Sequence, residues 1–139
     1  MILVDSGPII ALMDPQERKH AACLEALRAI GAEPVYTCVP VLTECFHILE
    51  PGSRGVSNLI KFITDGDLKV LSFEGDQLGR AFELMQQYAD HPMDLADAAL
   101  VALAEATGTR RVFTLDVGDF SVYRIRRGHQ LHGFELIAP

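Results

Sequence analysis

The feature that most constrains this chain is an alternation of short apolar runs with longer segments of helical period. Ile2-Leu3-Val4, Val35-Tyr36-Thr37-Cys38-Val39, Leu68-Lys69-Val70-Leu71 and Arg111-Val112-Phe113-Thr114-Leu115 have the length and branched content of strands. Asp14-Pro15 has the form of an N-cap followed by Pro at the first helical position. The helix expected there carries Ala22, Cys23, Ala26, Leu27 and Ile30 as its apolar face and stops at Gly31. Further helices are expected from Pro40 towards Glu50 and over residues 54–64, 74–89 and 94–107, the last ending at Gly108. Asp5-Ser6-Gly7-Pro8 is expected to be a turn, and weak strands are expected around Val122-Tyr123 and Phe134-Glu135-Leu136-Ile137. Strands alternating with helices indicate an α/β fold, a parallel sheet covered on both faces, as one domain over residues 1–139. In such sheets the crevice that binds ligands lies beyond the carboxyl ends of the strands, so the residues that follow each strand are the first candidates.

Composition narrows the function classes. With 49% hydrophobic and 22% charged residues, the chain is too apolar for a disordered tail. No apolar run approaches the ~20 residues of a membrane-spanning helix, so no membrane partner is expected. The start, Met1-Ile2-Leu3-Val4-Asp5, lacks the basic n-region of a signal peptide. Cys23, Cys38 and Cys45 are odd in number and lack Cys-x-x-Cys spacing, so free thiols in a reducing compartment, the cytoplasm, are expected. The net charge of −7 is unusual for a protein that holds nucleic acid by general electrostatics. A nucleic-acid function must therefore account for where the negative charge sits.

The acids supply that account. Asp5 directly follows the first strand, and Asp116 directly follows the strand that ends at Leu115, with Asp119 three residues on. Asp97 lies within Leu95-Ala96-Asp97-Ala98-Ala99-Leu100-Val101-Ala102-Leu103-Ala104, a helix apolar on nearly every side, and falls between Val101 and Ala104 on the wheel. Glu44 adjoins an apolar face built from Val41, Leu42, Cys45, Phe46, Ile48 and Leu49. Taken singly, each has an ordinary explanation. Asp5 and Asp116 suit turns, Asp97 suits the third position of a helix capped by Asp94, and Glu44 suits a boundary site with its stem packed down. Taken together they aim several carboxylates at one end of one sheet, where like charges repel unless a cation compensates them. An oxygen-only donor set favours Mg²⁺ or Mn²⁺ over zinc. Five of the nineteen acids gathered in one site would also account for much of the negative charge.

Val4-Asp5-Ser6, Leu42-Thr43-Glu44, Ala96-Asp97-Ala98 and Thr114-Leu115-Asp116-Val117-Gly118-Asp119-Phe120, in this order, resemble the PIN-domain ribonucleases. In size and layout the chain is similar to the VapC-type toxins of toxin–antitoxin pairs. The resemblance covers essentially the whole chain. It implies a three-layer α/β/α fold with a central parallel sheet and an endoribonuclease that cuts RNA with a metal-activated water. Asp5, Glu44, Asp97 and Asp116 match the acidic quartet that holds the divalent metal. Asp119 matches an additional acid, Ser6 and Thr114 match polar positions that orient carboxylates and water, and the role of Asp94 stays open. The resemblance also implies a cognate antitoxin and a homodimer. Arg110, Arg111, Arg124, Arg126 and Arg127 are candidates for a rim that guides RNA phosphates, although arginine clusters also serve as plain solvated faces.

Competing patterns fail on the residues. Glu44-x-x-His47 is half of a di-iron motif with no second half, and His129-x-x-His132 has no further ligands nearby, so these are expected to be surface histidines. His91 lies close in sequence to site residues. No phosphate-binding glycine loop or dinucleotide fingerprint is present. The chain also lacks the Asp-x-Asp of haloacid-dehalogenase-like phosphatases, since Gly7 follows Ser6, and the late lysine of receiver domains. A PIN-like scaffold that binds RNA or a partner protein without cutting is the main alternative.

Overall fold

The computed structural model describes residues 1–139. Its strands, numbered in chain order, are β1 (Ile2–Val4), β2 (Val35–Cys38), β3 (Lys69–Leu71), β4 (Arg111–Phe113), β5 (Arg124–Arg127), β6 (Gln130–Gly133) and β7 (Glu135–Ile137). The helices are α1 (Ser6–Met13), α2 (His20–Ile30), α3 (Val39–Ile48), α4 (Arg54–Thr64), α5 (Asp76–Gln87), α6 (Leu95–Thr107) and α7 (Val117–Val122). All three residues of β1 are buried, as an unbroken apolar run requires in a strand covered on both faces. The main sheet runs β3-β2-β1-β4-β7 with every neighbouring pair parallel, flanked by helices in a three-layer α/β/α arrangement. The chain leaves β1 for β2 and β3 on one side, then returns to β4 on the other. The switch point of the sheet therefore lies between β1 and β4.

α6 is the central core helix. Ala96 and every residue from Ala98 to Ala104 are buried, as its near-continuous apolar sequence predicts. α5 packs against it, and so does α3, the helix that carries Glu44. All three cysteines are free and buried. No helix is long and apolar enough to cross a membrane.

Three local expectations need correction. Asp5-Ser6-Gly7-Pro8 does not form a turn but opens α1, with Asp5 as its N-cap. Gly and Pro are tolerated there because the first-turn N–H groups have no intrahelical partner to lose. Gly7 also fits a close approach, since a Cβ at this position would stand 3.3 Å from Leu115 Cβ. Asp14 ends α1 rather than opening α2, and its side chain accepts from Gln16 N at 2.9 Å. α2 begins only at His20, without a side-chain cap. Val122 and Tyr123 are not a strand: α7 ends at Val122, and the strand follows at β5. Gly128, at φ 60°, turns β5 into β6 as an antiparallel hairpin, a pairing that the polar sequence did not advertise.

Candidate metal centre

The carboxyl ends of β1 and β4 are joined by one hydroxyl. Asp5 is only 6% exposed, and its carboxylate accepts from Ser6 N at 2.8 Å and from Thr114 Oγ1 at 2.8 Å. The same Thr114 hydroxyl accepts from Asp116 N at 2.9 Å, so it fixes the first acid and the backbone of the fourth together. Asp116 N-caps α7, its Oδ1 accepting from Asp119 N at 3.1 Å. Asp94 N-caps α6 by accepting from Asp97 N at 2.8 Å. Asp97 is thus the first-turn acid that ordinary capping would place there, and it also faces the site, where Tyr123 Oη donates to its Oδ2 at 2.7 Å. His91 Nε2 donates to Asp119 Oδ1 at 2.6 Å.

These side chains line a cleft of about 620 Å³ whose walls hold six carboxylates: Asp5, Glu44, Asp94, Asp97, Asp116 and Asp119. Ser6, Gly7, Pro92, Met93 and Leu115 complete it, and no lysine or arginine is among the lining residues. Donor oxygens of Asp97, Asp116 and Asp119 lie within 4.8 Å of one another. Burial is the main cause of raised affinity for protons here. It lifts Asp97 to about 8 against the opposing Tyr123 hydrogen bond, with the charges of Asp5, Asp94 and Asp116 adding to it. Asp5 is raised by burial despite its bonds from Thr114 and Ser6. Glu44 is raised by burial and by the charge of Asp94, opposed by the Ser6 hydroxyl. Asp116 and Asp119 act as a pair: Asp116 is raised by burial and by its hydrogen bond to Asp119, whose own affinity falls through that bond and through His91.

A cleft in which four carboxylates hold protons more tightly than usual is one that a cation would relieve. The donors are hard oxygens. Cys38 and Cys45 lie behind the site, and burial pushes their thiols to about 11 and about 12, so neither offers a thiolate. The set therefore fits Mg²⁺ or Mn²⁺ and fits zinc poorly.

The structure brings Asp5, Glu44, Asp97, Asp116, Asp119, Ser6 and Thr114 together and adds Asp94. It does not bring the arginines to this cleft. Arg111 starts β4 at the opposite end of the sheet and pairs with Glu33. Arg110 Nε donates to Gly133 O at 3.1 Å. The Arg124 guanidinium donates to the carbonyls of Ser121, Val122 and Tyr123 at 2.8–3.1 Å. Arg126 N donates to Glu105 Oε2 at 2.8 Å. Glu105 lies eight residues beyond Asp97 on α6, a rise of about 12 Å, and Arg127 follows at the hairpin. His47 is exposed on α3, and His129 and His132 lie in the hairpin. Ile48 is 59% exposed, so the apolar face of α3 is narrower than its sequence suggests. Tyr123 was the residue hidden from sequence reasoning. Asp116, Asp119 and Tyr123 share one helical face by spacing, a signal that only a helical reading of 117–122 would expose.

Comparison with known proteins gives three findings. A family model described as PIN domain matches residues 2–125. Ribonuclease VapC26 of Mycobacterium tuberculosis (strain ATCC 25618 / H37Rv) is 25% identical over 125 residues, covering 88% of this chain and 92% of that protein. Among solved structures, Mycobacterium tuberculosis VapC20, described as a sarcin–ricin loop cleaving toxin, has a TM-score of 0.75 at 20% identity, over 85% of this chain and 92% of that one. VapBC2 from Rickettsia felis, solved with a DNA fragment from their promoter, has a TM-score of 0.61 at 16% identity, over 86% and 91%. At these identities the two structures share the fold.

Proposed function

The chain belongs to the PIN domain family, and from that premise we propose that it is a Mg²⁺- or Mn²⁺-dependent endoribonuclease, the toxin of a toxin–antitoxin pair. The observation that carries this reading is the cleft, where six carboxylates converge without a balancing lysine or arginine. Asp5, Glu44, Asp97, Asp116 and Asp119 would hold the metal, which lowers the pKa of water and shields the charge of a phosphodiester. The residues of the chain do the arranging. Thr114 holds the Asp5 carboxylate and the backbone of Asp116 in register, Asp94 fixes the first turn of α6, and Ser6 opposes protonation of Glu44. No lysine or histidine is needed as a general base. RNA is the substrate, a cognate antitoxin the protein partner, and a homodimer in the cytoplasm the working form. The curated relative named a ribonuclease supports RNA as substrate, and the likeness to a VapBC structure supports the antitoxin.

The test is incubation of the purified, antitoxin-free protein with total cellular RNA and Mn²⁺, beside Asp97→Asn and a chelator control. Discrete fragments from the unmodified protein alone are expected. Intact RNA in every lane, from folded protein, would replace this reading with a PIN-like scaffold that binds without cutting.

A further inference from the structure

Tyr123 is fully buried, yet it ends on a site acid. It stands where α7 gives way to β5, and its hydroxyl reaches across to the first turn of α6 to donate to Asp97 Oδ2 at 2.7 Å. Its backbone N donates to Asp119 O at 3.1 Å, so this one residue is bonded to two different acidic segments. The ring is held edge-to-face by Phe120, Tyr88 and His91, with centroids at 5.2, 5.4 and 6.0 Å. Tyr88 Oη accepts from the next backbone N, that of Arg124, at 2.9 Å. His91, which packs on the Tyr123 ring, also holds Asp119. A phenol with this many restraints has little freedom. The carboxylate it holds belongs to a residue that lines the cleft.

We propose that Tyr123 is a positioning residue for the metal centre: its hydroxyl fixes the Asp97 carboxylate and thereby sets the affinity for the divalent cation. The proposal rests on the metal-centre reading above. A ligating carboxylate is itself usually hydrogen-bonded, and loss of such an outer partner typically weakens metal binding or activity by about 10–100-fold. A merely structural tyrosine would instead lower stability and leave metal affinity unchanged.

The experiment is calorimetric titration of Mn²⁺ alone into the full chain. Tyr123→Phe keeps the ring and its aromatic contacts and removes only the hydroxyl. It is expected to weaken Mn²⁺ binding by about 10–100-fold. Tyr36→Phe, a phenol removed from β2, is expected to leave the affinity unchanged. If Tyr123 acts through Asp97, then in an Asp97→Ala background, which removes the acceptor of its hydroxyl, the Tyr123→Phe change costs no further affinity. For RNA cleavage, kcat at limiting Mn²⁺ is expected to fall while KM for RNA holds. Folded Tyr123→Phe with the affinity of the unmodified protein overturns the proposal, as does an additive loss in the Asp97→Ala background. Absence of Mn²⁺ uptake by the unmodified protein overturns the metal-centre reading and the proposal with it. Should Tyr123→Phe not fold, 3-fluorotyrosine incorporated at position 123 alone retains both ring and hydroxyl. Its ¹⁹F resonance is expected to shift on Mg²⁺ addition, and an unmoved resonance with Mg²⁺ bound overturns the proposal.

Discussion

The two ends of the main sheet handle charge in opposite ways. At the amino ends of the strands, Glu33 is shared between the Met1 ammonium, at 3.0 Å, and the Arg111 guanidinium, and these bonds lower its affinity for protons. At the carboxyl ends, six carboxylates share one cleft with a single histidine beside them, and Asp5, Glu44, Asp97 and Asp116 are all raised. Both ends are rich in hydrogen bonds. At one end an acid is neutralised within the chain, and at the other no lysine or arginine lines the cleft. On the proposed function, the contrast marks the acidic cluster as the place where a divalent cation would supply the missing positive charge.

The largest expected effect lies at the carboxyl ends. Asp97→Asn preserves shape and can still accept from Tyr123, but it removes a ligand charge. Cleavage of RNA is expected to fall at least ~100-fold in a fixed-time fragment assay. The same variant is expected to melt at a higher temperature than the unmodified protein in chelator at pH 8, where Asp97 is about half ionised, because a partly buried charge has gone. Melting below the unmodified protein would break the comparison.

Thr114→Val probes how that end is held together. It leaves the Asp5 carboxylate and Asp116 N without their shared partner, a loss of about 1–3 kcal/mol for buried polar groups. Urea unfolding in chelator measures it. A midpoint equal to that of the unmodified protein would show that Thr114 organises nothing.

The pH dependence sharpens the contrast further. Asp97 is raised in the folded state from 3.8 to about 8, so the folded protein binds more protons than the unfolded one between those values. The resulting stability is complete below about pH 4 and is lost as pH rises through about 8. Asp5, Glu44 and Asp116 are shifted in the same direction. Thermal melts in chelator are therefore expected to decline from pH 5 to pH 8, and saturating Mn²⁺ is expected to flatten or reverse that decline. A rise with pH in chelator would contradict the electrostatics of the cleft.

The smallest effect belongs to the amino ends. Glu33→Gln weakens two exposed ion pairs, and screening by solvent keeps such pairs weak. A slight drop in melting temperature with unchanged RNA cleavage is expected. A large loss of cleavage would mean that the two ends are coupled.

Much of this architecture is legible in the chain itself. Residues 54–64 form a helix with the expected bounds, and the all-round apolar run after Asp97 is the buried α6. Asp5 and Asp116 follow neighbouring strands because parallel topology carries every strand's carboxyl end to the same edge. Local rules failed where one residue type serves two local structures. Asp5-Ser6-Gly7-Pro8 has the composition of a turn, and only the packing of α1 against its neighbours makes it a first helical turn. None of the arginines lines the cleft: Arg111 sits at the start of β4, at the opposite end of that strand, and the Arg126 backbone bonds Glu105 on α6.

The sequence by itself determined the strand–helix alternation and the identity of the acids, because periodicity and side-chain chemistry are local properties. The tertiary structure alone decided which polar groups hold those acids: Thr114 on Asp5, His91 on Asp119 and Tyr123 on Asp97, over separations of 109, 28 and 26 residues. A hydrogen bond has a reach of about 3 Å, so such partners are fixed only when the packing of the sheet and α6 brings distant segments to one place.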